Sequence, residues 1–172
     1  SATFFFSGEG GDVYIGAMRI NNPVKVVRDI LFYRAPLEAQ LIVTRRCNLT
    51  CGYCTEYDNV SQPVPLETLK EWISALHRLR VVNISILGGE PLMHPDLAEI
   101  VRFANTKCQV SVTTNGFLLN EKMIRDLNEA GLANMEVSID DLVPDKSGYI
   151  QKTLRTVRPK LELLKQEATF DV

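Results

Sequence analysis

Long apolar runs are missing from this sequence. None of its 172 residues lies in a stretch near the roughly 18 apolar residues that a membrane-spanning helix needs, so no transmembrane segment is expected. The apolar opening Phe4-Phe5-Phe6 has no basic residue before it and is too short for a secretory signal, so the cytoplasm is the expected compartment. Runs of Lys or Arg are also missing and the net charge is −2. No nucleic-acid or anionic-membrane surface is therefore expected. The chain shows neither a Ser–His–Asp arrangement nor a phosphate-cradling Gly-rich loop, which leaves out the common hydrolase and P-loop chemistries. No sequence period repeats, which excludes a solenoid. Three N-x-S/T sequons, at Asn48, Asn59 and Asn83, are discounted without a secretory signal.

What is present is an ordinary globular composition, 45% hydrophobic, in a length that suits one domain. Residues 1–38 read as a preamble. Phe4 to Phe6 and Val13 to Ile15 flank a Gly-rich turn and suggest a hairpin, and Asn22-Pro23 starts a helix that runs to Tyr33. Residues 39–172 then alternate strand and helix. The expected strands are Leu41 to Val43, Val81 to Leu87, Cys108 to Thr114, Met135 to Asp140, and Ala168 to Val172 as the start of a fifth. The expected helices are Pro65 to Leu79 (Leu66, Leu69, Trp72, Ile73, Leu76 and Leu79 on one face), Asp96 to Ala104, one from the cap Asn120 to Gly131, and one capped by Ser147 that carries Ile150, Leu154, Val157, Leu161 and Leu164. Such alternation implies a parallel sheet with right-handed crossovers, as a βα barrel or an open α/β sheet.

The strands alternate in polarity, although strands of a fully covered parallel sheet are apolar on both faces. Asn83 and Ser85 share one face, as do Ser111, Thr113 and Asn115, and Glu136, Ser138 and Asp140. The opposite face holds Ile84/Ile86, Val110/Val112 and Val137/Ile139, which suits a cover of outer helices. The polar face suits a ligand-filled concave interior, as in an incompletely closed barrel. An antiparallel sheet with one wet face is the alternative, and the intervening helices argue against it.

Three of the four cysteines crowd into one loop, as C-x₃-C-x₂-C at Cys47, Cys51 and Cys54. Three thiolates can hold a four-iron cluster and leave one iron open for substrate. The alternative is a zinc site, for which a fourth ligand is wanting, since Cys108 and His94 lie far off in sequence. The loop follows the first strand of the alternation. Gly88-Gly89-Glu90 follows the second, Thr113-Thr114-Asn115-Gly116 ends the third, and Ser138-Ile139-Asp140 ends the fourth. All four motifs thus fall on the C-terminal edge of successive strands, where βα barrels place their chemistry. Two glycines permit close approach of a ligand to the backbone, and Glu90 can accept from an ammonium group.

With these four ordered motifs the chain resembles the radical S-adenosylmethionine superfamily over about residues 38–172. The resemblance implies an α/β fold, a partial (β/α)6 TIM-like barrel, here with about four βα units and the start of a fifth strand. It implies that Cys47, Cys51 and Cys54 ligate three irons of a [4Fe–4S] cluster, with S-adenosylmethionine chelating the fourth. Tyr53 stands where the family places an aromatic residue near the adenine. Gly88, Gly89 and Glu90 match the motif that binds the methionine amino group. Thr114, Asn115, Ser138 and Asp140 match positions that contact ribose or carboxylate. The implied activity is reductive cleavage of S-adenosylmethionine to methionine and a 5′-deoxyadenosyl radical, which acts on a substrate that the motifs do not identify: a small molecule, lipid or peptide. A reductant such as flavodoxin or ferredoxin is the implied partner.

Among the remaining residues, Cys108 reads as a small buried hydrophobe, with an auxiliary ligand as the alternative. His94 is expected to shape the turn before a helix, and His77 to be solvated. Arg45 or Arg46 could offset cluster charge or be plain surface charge. Glu56, Tyr57 and Asp58 could face substrate or simply make the loop polar.

Overall fold

A computed structural model describes residues 4–7, 12–15, 18–20, 23–33, 35–143 and 151–172. Three short strands open it, β1 (Phe4–Ser7), β2 (Asp12–Ile15) and β3 (Met18–Ile20), paired antiparallel in that order. The expected hairpin thus has a third strand. Helix α1 (Pro23–Tyr33) starts and stops where the proline and the chain beyond Tyr33 predict. Its Asp29 is buried between Arg28 (2.8 Å) and Arg80 (3.6 Å), and the Arg80 guanidinium lies over the Tyr33 ring at 3.9 Å. These contacts tie α1 to the turn before the second strand of the main sheet.

The main sheet is four-stranded and wholly parallel: β4 (Glu38–Thr44), β5 (Asn83–Gly88), β6 (Gln109–Thr114) and β7 (Asn134–Val137), in sequence order. Helices α2 (Leu66–Arg78), α3 (Leu97–Asn105) and α4 (Glu121–Ala130) make the crossovers, and α5 (Leu154–Glu167) follows β7. A parallel bridge from Asn134 to Asp171, with Met135 N–H donating to Asp171 O at 2.8 Å, begins the fifth strand. The antiparallel alternative is therefore excluded.

One face of the sheet carries the core. Ile84, Ile86, Val110, Val112 and Met135 pack with Leu69, Ile73, Ile100, Val101, Ile124, Leu127 and Leu164 of the helices, each at most 1% exposed. The register puts Gln40, Ser85 and Ser111 side by side on the other face, and Thr113 beside Glu136. Hydrogen bonds confirm that face: Asn83 Nδ2 donates to Ser111 Oγ (3.0 Å) and Thr113 Oγ1 to Glu136 (3.4 Å). The alternation of the strands thus marks a helix-covered outer face and a polar inner one, as in a barrel.

Several boundaries differ from expectation. Strand β5 begins at Asn83, not Val81, because the Val81 N–H still bonds Leu76 O at the end of α2. Strand β7 ends at Val137. Ser138 N–H still reaches Thr114 O (2.8 Å), but Asp140 N–H turns to Lys152 O (2.8 Å) and the chain leaves the sheet. Ser147 and Ile150 lie outside the described residues. Helix α5 starts at Leu154, and its cap is Thr153, in a reciprocal box with Thr156. On α2 the buried residues are Leu69 and Ile73. Trp72 and Leu79, expected inward, are 46% and 63% exposed, because Trp72 lies one residue round the helix from the buried seam and Leu79 lies past the last turn.

Thr153 is fully buried and caps α5 through its side chain. Thr153→Ala is expected to lower the unfolding free energy by about 1–2 kcal/mol, read as a shift of the urea midpoint at constant slope.

Candidate functional site

Strand β4 ends at Thr44 and releases the chain into the cysteine loop. The loop is closed on itself by backbone bonds from Asp58 N–H to Arg45 O (3.2 Å) and from Val64 N–H to Val43 O (2.9 Å), and by Asn59 Oδ1, which accepts from Cys47 N–H (2.9 Å). Asn59 has φ +54°, a conformation its short polar side chain tolerates. Asp58 accepts from the N–H groups of Val60 and Ser61 and from the Ser61 hydroxyl, which holds its carboxyl below the usual range. Loop polarity near Asp58 is thus used on the loop's own backbone. Arg45 pairs with Glu56 at 3.8 Å on the surface.

Within the loop, Cys54 N–H donates to Cys51 O (3.0 Å), a tight turn that groups the last two cysteines. Cys51 is buried, and Cys47 and Cys54 are half-buried; all are free thiols. Burial pushes the Cys47 thiol up, opposed by Leu49 N–H at 3.4 Å from its sulfur. The charge of Glu90 pushes it the same way. Among the described residues no three Cys, His, Asp or Glu side chains are arranged to hold a single metal ion. The donor set of three thiolates in one loop fits a cluster, which spreads its ligands farther apart than one zinc does.

Gly88-Gly89-Glu90 runs directly beside the start of this loop. Gly89 N–H donates to Thr44 O (2.9 Å) and Glu90 N–H to Arg46 O (2.8 Å). A Cβ at Gly88 would sit 2.2 Å from Thr44 O, and one at Gly89 would sit 2.4 Å from Arg46 O. The two glycines are thus required by close approach of the chain to itself.

The Glu90 side chain is wholly buried. Its Oε1 accepts from Thr114 Oγ1–H (2.7 Å) and Leu92 N–H (3.0 Å), and its Oε2 from Asn115 N–H (2.8 Å). Burial pushes the carboxyl up, while those three bonds and the charge of Lys152 pull it back. Thr114 Oγ1 also accepts from Gly116 N–H (3.0 Å). Asn115 Nδ2 donates to Asn48 Oδ1 (2.9 Å) and to Cys47 Sγ (3.8 Å). Glu90, Thr114 and Asn115 therefore form one buried network that ends on the cysteine loop.

Tyr53, half-exposed on the loop, donates its hydroxyl to Asp140. Burial and that bond push the phenol up. Lys152 Nζ lies 3.2 Å from Asp140 Oδ1 and 5.5 Å from the Tyr53 ring centre. Ser138 joins the same edge through its bond to Thr114 O. Sequence reasoning missed Lys152. No strand motif flags it, and it reaches the site only because the chain returns from β7 to the cap of α5. His94 is buried and holds a turn: its Nδ1 accepts from Asp96 N–H, so Nε2–H donates to Val64 O (2.9 Å). His77 is exposed, with Nδ1 2.9 Å from Lys107 O. Cys108 is half-buried against the core, with its Sγ 3.8 Å from Ala104 O. A cavity of about 300 Å³ between Leu92–His94 and α4 is lined by none of the predicted site residues.

Known proteins align with this arrangement. The model of one family, described as the Radical SAM superfamily, matches residues 41–166. The chain is 33% identical to a probable GTP 3′,8-cyclase of Archaeoglobus fulgidus over 76% of its own length and 46% of that protein's. It is 38% identical to the GTP 3′,8-cyclase of Peptoclostridium acidaminophilum over 66% of its length and 37% of that protein's. The chain thus spans less than half the length of these relatives. Its fold matches Streptococcus suis SuiB bound to precursor peptide SuiA (TM-score 0.68, 18% identity, 88% of this chain and 37% of that one) and anSMEcpe with bound AdoMet (TM-score 0.59, 20% identity, 79% and 42%).

Glu90→Ala leaves three buried donors unpaired and is expected to destabilise the chain by about 3 kcal/mol or more. Glu90→Gln keeps the shape but turns an amide N–H toward a donor, with a smaller loss. Urea denaturation of both variants beside the parent checks the order.

Proposed function

The chain belongs to the radical SAM superfamily, and from that membership we propose that it acts as a radical S-adenosylmethionine enzyme. The observation that carries the reading is the C-x₃-C-x₂-C loop at the C-terminal end of β4, packed against Gly88-Gly89-Glu90 at the end of β5. Cys47, Cys51 and Cys54 would hold three irons of a [4Fe–4S] cluster and leave the fourth to S-adenosylmethionine. When bound, these cofactors supply reductive carbon–sulfur cleavage and the 5′-deoxyadenosyl radical. The chain's residues bind and orient. Tyr53, Ser138, Asp140 and Lys152 gather beside the cysteine loop, where an adenine, a ribose and a carboxylate need an aromatic surface, hydroxyl partners and a cation. Gly88, Gly89, Glu90, Thr114 and Asn115 hold the floor under them. The polar inner face of the sheet receives the substrate. A cytoplasmic setting suits the free thiols, and a flavodoxin- or ferredoxin-type reductant would deliver the electron.

The relatives' names make GTP the first compound to assay. The inner face, however, carries Glu38, Gln40, Asn83, Ser85, Gln109, Ser111, Thr113, Asn134 and Glu136 in register, with no cation among them. These strands offer a triphosphate no counter-charge. They suit hydroxyl, amide or cationic groups, and a substrate bearing such groups is our reading.

The test is anaerobic reconstitution with iron and sulfide, reduction, addition of S-adenosylmethionine and mass-spectrometric assay of 5′-deoxyadenosine. Product that is lost in Cys51→Ala and unchanged in yield by GTP is expected. Tight zinc binding with no iron–sulfur cluster would contradict the enzyme and favour a metal-holding scaffold. A GTP-dependent rise would overturn the substrate reading alone.

A further inference from the structure

The family resemblance assigns Asn115 to S-adenosylmethionine, but its side chain is occupied by the protein at both ends. Oδ1 accepts from Phe117 N–H (3.0 Å) in a tight turn after β6. Nδ2 has two hydrogens, and both have partners on the cysteine loop: Asn48 Oδ1 at 2.9 Å and Cys47 Sγ at 3.8 Å. The residue is 6% exposed, and its backbone N–H is fixed by the buried Glu90 carboxylate at 2.8 Å. Cys47 Sγ receives a second N–H, from Leu49 at 3.4 Å. Cys47 is thus a thiol with two donors aimed at its sulfur, one from its own loop and one from the turn after β6.

We propose that Asn115 is a positioning residue that fixes the first cysteine of the loop and raises the reduction potential of the cluster it ligates. The proposal rests on the enzyme reading above. The physical reason is general. An N–H bonded to a thiolate draws charge from the sulfur, weakens its donation to iron, and favours the reduced, more negative cluster. A cluster that must take up an electron gains from that bias. Asn is required because Nδ2 supplies both bonds at once, and Glu90 sets its position from below.

The readout is the potential, which a merely structural residue would not move. In the cluster-loaded chain, Asn115→Asp keeps the size and the oxygen that accepts from Phe117 N–H but replaces the donor by a second acceptor. Asn115→Ala removes both. Redox titration followed by electron paramagnetic resonance is expected to show a more negative midpoint in both variants than in the parent, and lower in Asp than in Ala, at equal iron content. A second measurement needs no stable variant: parent protein labelled with ¹⁵N-asparagine, reduced without S-adenosylmethionine, is expected to show a ¹⁵N hyperfine coupling to the cluster. Unchanged midpoints with weakened S-adenosylmethionine affinity would overturn the proposal and return Asn115 to cofactor contact. A loaded parent with no ¹⁵N coupling would also overturn it. A parent that binds no cluster would instead overturn the enzyme reading on which it rests.

Discussion

The site depends on one buried carboxylate. Glu90 has no exposed surface, and a carboxylate in that position is costly unless its oxygens are bonded. Three donors from two places meet it: Leu92 N–H in the turn just after it, and the Thr114 hydroxyl and Asn115 N–H at the end of β6. The first lies in the turn that leaves β5, and the other two lie where β6 ends. Through Glu90 N–H and the two glycines the same segment lies against Thr44 and Arg46, where the cysteine loop leaves β4. Glu90 therefore joins the cysteine loop through its backbone N–H and the end of β6 through its carboxylate, and through Asn115 the same network reaches a cysteine sulfur.

The strand–helix order, the parallel sheet and its polar face are legible in the sequence because side-chain alternation reports a face directly. Ile84 against Ser85, and Val112 against Thr113, need no tertiary information. Other features are set by tertiary approach. Gly88 and Gly89 look like room for a ligand, yet the atoms that exclude a Cβ are carbonyls of β4 and of the cysteine loop. Glu90 reads as an acceptor for an ammonium group, and in the fold three of the chain's own donors already bond its carboxylate. Trp72 fits a helical stripe but falls outside the narrow buried seam of Leu69 and Ile73. Lys152 belongs to no motif, and only the return of the chain from β7 to the cap of α5 brings it beside Asp140 and Tyr53.

The resulting division of labour is simple. Glu90, Thr114 and Asn115 form a buried layer that holds the cysteine loop. Tyr53, Asp140 and Lys152 form a more exposed layer at the same edge of the sheet, with a phenol, a carboxylate and an ammonium in mutual contact. The first layer holds the cysteine loop rigid, and the second presents polar groups at the sheet edge. Both layers lie at the edge of a sheet whose inner face is polar, with Gln40, Ser85 and Ser111 side by side.

Glu90 faces inward as a clamp. An anaerobic crystal structure of the chain loaded with cluster and S-adenosylmethionine tests it most directly. The account predicts that the Glu90 carboxylate still accepts from Leu92, Thr114 and Asn115, with the methionine amino group bonded elsewhere. A Glu90 carboxylate turned out of that network and bonded to the amino group would contradict it.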